Sequence, residues 1–344
     1  MKHLLLLIIA GLFLAKAEAQ PRFEIVPLSL PPELFYHNNQ FSGLSIQGDQ
    51  LFLMSESRLQ DEAAAKLYAI RLSDLEHKMK DSGYVLPFRK YPIYGLEQLR
   101  GQMKTADQDY EGLEAIVIQG KDVYLTVETA TPSTNCYLLK GSLNDTAVVM
   151  QPGFMVPIRK PSDNTKAHIY NAGYEALALD GNDLYAFFEF NYFGNGNYVH
   201  RFDTRMLPDK KGHMQLPISK VPFRITDITP SGKHHFTAIN YFFKGEGGDE
   251  VYRPPASDTA SSNRISTSSG NYRNYCRLID IRMDKMQFTW TPLWEFPEAY
   301  MSYNWEGIAA YKQGYFIIND KYTPQRPYGS VLLYLRKVAT GGGL

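Results

Sequence analysis

Residues 113–128 read LEAIVIQGKDVYLTVE, residues 174–189 read YEALALDGNDLYAFFE, and residues 305–320 read WEGIAAYKQGYFIIND. Each stretch has an acid in second place (Glu114, Glu175, Glu306), then a small residue and then Ile or Leu. Turn residues follow (QGKD, DGND, KQG), then an apolar and aromatic run, then an acid fourteen positions after the first: Glu128, Glu189 and Asp320. Two further copies keep the spacing with other polar residues, from Ser42 to Glu56 and from Thr226 to Asn240.

Each copy reads as a β-hairpin. Val, Ile, Leu, Tyr and Phe fill both arms, and Gly with Asp or Asn marks the turn. Arms of about six residues run roughly 20 Å out and back at ~3.3 Å per residue, so the two ends of a copy lie at the same end of the hairpin. DYEGLEAI offers both Glu111 and Glu114 to the axis, and the spacing to Glu128 favours Glu114 as the repeated acid. The intervals between copies hold two more strand-like runs each: 66–72 and 84–95, then 135–143 and 146–158, then 198–204 and 214–223, then CRLIDIRMD and MQFTWTPLWEF. The last copy is followed only by YGSVLLYLRKV, and RFEIVPLSL at 22–30 is left over to supply its missing outer strand. The expected fold is all-β: a single β-propeller of five four-stranded blades, six being left open, with the ring closed by the N-terminal strand. Two stacked sandwiches would also give many short strands, but not a polar start at fixed distance from a polar end.

Residues 1–19 read as a signal peptide. Lys2 precedes an apolar run from Leu4 to Leu14, too short to span a bilayer, and Ala17-Glu18-Ala19 offers a cleavage site. Residues 20–344 then form one exported domain, secreted or periplasmic, with no membrane span expected. A polar insertion at about 243–272 reads as a surface loop. The 36 basic and 36 acidic residues balance, which gives no support to nucleic-acid binding. Cys136 and Cys276 are the two cysteines, and a bond between them is one option. A monomer is expected.

In a propeller the innermost strands line a central channel. The hairpin starts would bring Ser42, Glu114, Glu175, Thr226 and Glu306 around one axis, with Glu56, Glu128, Glu189, Asn240 and Asp320 beside them. A lone Glu would read as a cap on its own blade. Several on one axis repel and push pKa values up, a conflict that a hard cation removes. An all-oxygen set suits Ca²⁺, and the lack of His and Cys argues against zinc or copper. The carboxylates Glu128, Glu189 and Asp320 are candidate bases, and Arg58 and Lys321 candidate phosphate contacts near the same rim. Tyr110, Tyr174, Phe190, Tyr192, Trp305 and Tyr322 could stack a base or a sugar. There is no GxSxG, Walker A or HExxH motif.

The order Ser-Glu-Glu-Thr-Glu on SGLSI, LEAIVI, YEALAL, TDITP and WEGIAA resembles the calcium ring of soluble calcium-activated nucleotidases (apyrases), which are secreted five-bladed propellers. NAGYEALAL and NWEGIA also resemble the phytase-like and esterase-like propeller families. The apyrase resemblance implies Ca²⁺ at Ser42, Glu114, Glu175, Thr226 and Glu306, and hydrolysis of nucleoside phosphates. The Asp-Asp-Arg run of that family is not found; SESR places Arg58 nearby. Two functions follow as expectations. One is a Ca²⁺-dependent phosphohydrolase acting on a nucleotide or other phosphate ester. The other is a non-catalytic propeller with a structural ion that binds a glycan, peptide or protein.

Overall fold

Every one of the five repeats folds as an antiparallel hairpin, and four strands gather on most of them. The computed structural model describes residues 21–57, 64–161, 172–205, 213–245, 251–321, 323, 324 and 326–338. Residues 1–19, the expected signal peptide, together with Arg58, Tyr322 and residues 246–250 of the insertion, lie outside the described residues. Those described form an all-β, propeller-like fold of 20 strands in four sheets.

The N-terminal strand β1 (Arg22–Leu28) stands apart from its neighbours in sequence and is placed last below. The first repeat gives β2 (Phe41–Gln47) and β3 (Gln50–Ser55), followed by β4 (Lys66–Arg71) and β5 (Arg89–Tyr94). The second gives β6 (Asp109–Gln119), β7 (Asp122–Ala130), β8 (Asn135–Leu143) and β9 (Val148–Arg159). These eight strands form one sheet, because β5 and β9 join in parallel through Ile93↔Val148 and Tyr94↔Val149. The third repeat gives the four-stranded sheet β10 (Ala176–Asp180), β11 (Asp183–Phe187), β12 (Tyr198–Asp203) and β13 (Met214–Pro217). The fourth gives β14 (Arg224–Gly232), β15 (His235–Phe242), β16 (Tyr275–Asp284) and β17 (Gln287–Glu295). The last gives β18 (Trp305–Tyr311), β19 (Gly314–Asn319) and β20 (Leu332–Val338), and β1 pairs antiparallel with β20 from Arg22↔Val338 to Leu28↔Leu332. The N-terminal strand therefore completes the last sheet and covers its open edge.

The inner strands β2, β6, β10, β14 and β18 touch in a closed cycle. They line one cavity of about 330 Å³, walled by side chains such as Leu44, Ile116, Leu177, Ile228 and Ala309. Apolar clusters fill the wedges between sheets. Tyr185 and Phe187 on β11 meet Phe236 and Phe288 of the next sheet edge to face, with centroids 5.3–6.4 Å apart. The turn glycines Gly120 and Gly181 have φ of +62° and +65°, a conformation that glycine adopts without strain.

Three elements depart from the sequence reading. The first interval contains a helix at Leu72–Lys80 and a second at Leu96–Thr105, where only strands were expected. The second helix buries Leu96, Leu99 and Met103, a helical spacing read over by the hairpin template. The insertion is not all loop: Thr259–Ile265 is helical, and the Asp258 carboxylate caps it by accepting from the Ser261 N–H at 3.1 Å. Cys136 and Cys276 are free and buried. No helix among the described residues is long and apolar enough to cross a membrane.

Candidate functional site

The repeated residue sits on a β-bulge. Register shifts fall between Phe41 and Gly43, Leu113 and Ala115, Ile225 and Asp227, and Trp305 and Gly307, which leaves Ser42, Glu114, Thr226 and Glu306 unpaired. The third hairpin follows suit. Ala176 pairs with Phe187 and the Glu189 N–H bonds Gly173 O, so Tyr174 and Glu175 together oppose Phe188. A bulge breaks the pleat and re-aims one side chain. Here it turns each repeated residue out of its sheet at the same end of the channel.

The bulge also changes who faces whom. Glu128 pairs with Gly112, Glu189 with Gly173, and the Asp320 N–H bonds Asn304 O. The closing acid thus faces the residue two before the opening one, not the opening one itself. In the fourth hairpin a further shift near the turn puts Asn240 opposite Ile225 and Tyr241 opposite Arg224. Tyr241, not Asn240, is the equivalent of the closing acids.

The acids do converge. Burial pushes Glu114 well above the usual carboxylate range, and the fields of Glu128, Glu56, Glu306 and Glu189 add to it. Burial and Glu189 raise Glu128 to about 8, against the opposing field of Lys160. Glu175 is raised by burial and by Glu189, and Glu306 by burial and by Asp320. Burial raises Glu189 too, against Arg224, a hydrogen bond with Glu175 and Tyr252, whose hydroxyl donates to Oε1 at 2.5 Å. The carboxylate oxygens Glu114 Oε1, Glu128 Oε1 and Glu189 Oε2 are buried without a hydrogen-bond partner. The nearest cation to Glu189 Oε2 among the described residues is Arg224 Nη1, at 3.5 Å.

The hydroxyls have a structural task in addition. Ser42 Oγ donates to Leu113 O at 2.7 Å and Thr226 Oγ1 to Trp305 O at 2.6 Å, each tying one inner strand to the next. Their oxygen lone pairs stay available. Lys321 Nζ donates to Gln40 Oε1, and Gln40 in turn to Glu56 Oε2. Tyr110, Tyr174, Phe190 and Trp305 are buried, as packing residues would be.

Three side chains that the sequence reading missed complete the mouth. Arg224 lies two residues before Thr226, its guanidinium 5.6 Å over the Tyr241 ring and 5.4 Å over the Tyr252 ring. Burial would favour its neutral form, but Glu189 and Glu175 reverse that and hold it firmly charged. Lys160 donates to Thr129 O at 2.5 Å. Tyr252 arrives from the insertion. Below the mouth, Asp227 fills the axis; Oδ1 accepts from the Ile228 N–H at 2.8 Å and Oδ2 from the Ile308 N–H at 2.7 Å.

The donor set fits a hard cation chemically. It is all oxygen, carries excess negative charge and includes buried unpartnered carboxylate oxygens. Among the described residues, no group of three or more His, Cys, Asp or Glu side chains stands so that it could hold a metal ion, and the fit is one of donor chemistry.

No protein-family model matches the chain, and no curated protein matches it. Solved structures do. The RS223 β-xylosidase superposes with a TM-score of 0.50 at 9% identity, over 94% of this chain and 97% of that one. A GH43_1 enzyme from Xanthomonas citri gives 0.49 at 10% identity, over 93% and 92%. A Thermus thermophilus protein described as an oxidoreductase (glucose dehydrogenase) gives 0.46 at 10% identity, over 92% and 99%. At such identity the likeness is one of fold.

Proposed function

We propose that the channel mouth binds a divalent cation, Ca²⁺ being the expected one, and that the chain is an exported, cation-dependent hydrolase whose reaction takes place there. The fold reading that goes with it counts the eight-stranded sheet as two blades zipped at their outer strands, making five in all. The observation that carries the proposal is a set of buried acids with unmet oxygens. Glu114, Glu128, Glu175, Glu189 and Glu306 lie in one another's fields, and Glu114 Oε1, Glu128 Oε1 and Glu189 Oε2 are buried without a hydrogen-bond partner. Acids so placed must either keep protons or meet a cation. Glu114, Glu175 and Glu306, with the hydroxyl oxygens of Ser42 and Thr226, would hold the ion. When bound it supplies charge neutralisation and a more acidic water.

The chain's own groups are suited to hydrolysis. Glu128, raised to about 8 by burial and by Glu189 while no cation is present, is the candidate proton donor to a leaving group. Glu189 is raised by burial, with Arg224, Glu175 and Tyr252 pulling it back toward its ionised form, and is the candidate base, with Asp320 beside Glu306. Lys160 and Lys321 at the rim suit an anionic substrate such as a phosphate ester.

A second reading is hydrolysis of a glycosidic bond. The buried carboxyl groups of Glu128 and Glu189, each within reach of the other's field, favour it, because that reaction uses a pair of carboxyl groups. The RS223 β-xylosidase has that kind of activity, on a related fold. One experiment separates the readings. Release of phosphate from ADP, UDP, ATP and p-nitrophenyl phosphate, and of p-nitrophenol from aryl glycosides, is measured with Ca²⁺ and with EGTA on wild type and Glu175→Gln. Calcium-dependent phosphate release, lost in the variant, supports the first reading. Glycoside turnover that ignores EGTA supports the second. A Tm and a turnover both blind to EGTA would sink the cation site.

A further inference from the structure

We propose that Arg224 is a built-in counter-cation that competes with a divalent ion for the acids of the mouth and so sets its affinity; this rests on the cation reading above. The position is specific. In the other four hairpins the residue two before the repeated one is Gln40, Gly112, Gly173 or Asn304, all uncharged. Only the fourth hairpin writes a cation there, and the register places it opposite Tyr241, where the other hairpins present an acid.

The guanidinium is held in the field of the acids rather than by tight bonds. Its closest polar approaches are Glu189 Oε2 at 3.5 Å and Asn304 Oδ1 at 3.5 Å, one on each side of the mouth. The rings of Tyr241 and Tyr252 flank it. Glu189, Glu175 and Glu306 all stabilise its charge, and Glu175 and Glu306 are two of the three carboxylates that would ligate the ion. An incoming divalent ion meets a like charge whose field already reaches two of its ligands. The oxygens left unpartnered, at Glu114, Glu128 and Glu189, show that one guanidinium does not satisfy the group. It lowers the affinity without filling the site.

The test is Ca²⁺ titration by calorimetry, and by Tm against Ca²⁺ concentration, for wild type, Arg224→Met and Arg224→Lys. Met keeps the apolar stem and removes the charge; Lys keeps the charge. Arg224→Met should bind Ca²⁺ at least tenfold more tightly than wild type, about 1.4 kcal/mol, and Arg224→Lys within a few-fold of it. If Arg224→Met is unfolded without Ca²⁺, it should fold on adding the ion at a lower concentration than shifts the wild-type Tm. Wild type binding Ca²⁺ with Arg224→Met equal or weaker overturns the role of Arg224 and leaves the cation site standing. No Ca²⁺ binding by any of the three overturns both.

Discussion

Glu128→Gln should make the protein more stable and less active. Glu128 is buried on β7 with Oε1 lacking a hydrogen-bond partner, and burial with the Glu189 field raises it from 4.5 to about 8. In the unfolded chain it ionises near 4.5. At pH 7 folding must therefore hold a proton that the unfolded chain has released. The linkage gives a cost of about 3 kcal/mol at pH 7, falling to nearly nothing at pH 4. The sign is fixed by the direction of the shift: this group's share of stability is intact below pH 4.5 and is lost as pH rises toward 8. Gln has nearly the same shape and no charge, so the variant escapes the cost. Urea denaturation in EGTA should show it more stable by about 3 kcal/mol at pH 7, or about 5 °C in Tm for a chain of this size, and equal to wild type at pH 4. Turnover should be lost with the proton that Glu128 is proposed to donate. A variant no more stable than wild type at pH 7 would refute the buried-charge reasoning. A gain of equal size at both pH values would assign it to packing instead.

Two further outcomes rest on other parts of the molecule. His200 is buried between Tyr174 and His213, with Nδ1 2.6 Å from His213 Nε2, and burial lowers it to about 3. It must stay neutral to remain folded, so its share of stability is lost as pH falls below 6.5, by about 2–3 kcal/mol between pH 7 and 4.5; His200→Gln should shrink the acid loss seen in urea titrations by that amount, and an unchanged loss would refute it. Gly307→Ala would set a Cβ 2.6 Å from Ile318 Cγ2 and 2.9 Å from Leu44 Cγ where two inner strands meet. It should cost about 1–3 kcal/mol, and a neutral result in thermal unfolding would show that these strands can part.

The hairpins were legible because their signals are local: a turn glycine, two apolar arms and a fixed count between polar ends. The bulges were not, since a shift of one residue leaves composition and spacing untouched. That is why Asn240, at the right count, is displaced by an extra turn residue, and Tyr241 stands in its place. Arg224 was missed for the same reason, because its importance comes from register and not from any motif in FRITDITP. Tyr252 lies 63 residues from Glu189 in the chain, in an insertion whose polar composition says only that it is exposed. The helix at Leu96–Thr105 was within reach, because Leu96, Leu99 and Met103 keep a helical period. The hairpin template claimed the interval first.

Asp227 shows what separates a buried acid with a structural task from one with a chemical task. In four hairpins the residue after the repeated one is small: Gly43, Ala115, Ala176 and Gly307. These positions crowd the axis, as the contact a Cβ on Gly307 would make with the Gly43 backbone at 3.3 Å shows. The room they leave is taken by the fifth, Asp227. Burial pushes its carboxyl up as it does the glutamates, but backbone N–H groups of Ile308, Ile228 and Leu44 pull it back. Both its oxygens are satisfied by groups that cannot move away, so it pins β14 to β18 and has nothing to offer a ligand. Glu114, Glu128 and Glu189, nearer the mouth of the channel, each leave an oxygen buried and unmet. It is on these unmet oxygens, rather than on burial or charge alone, that the proposed cation site rests.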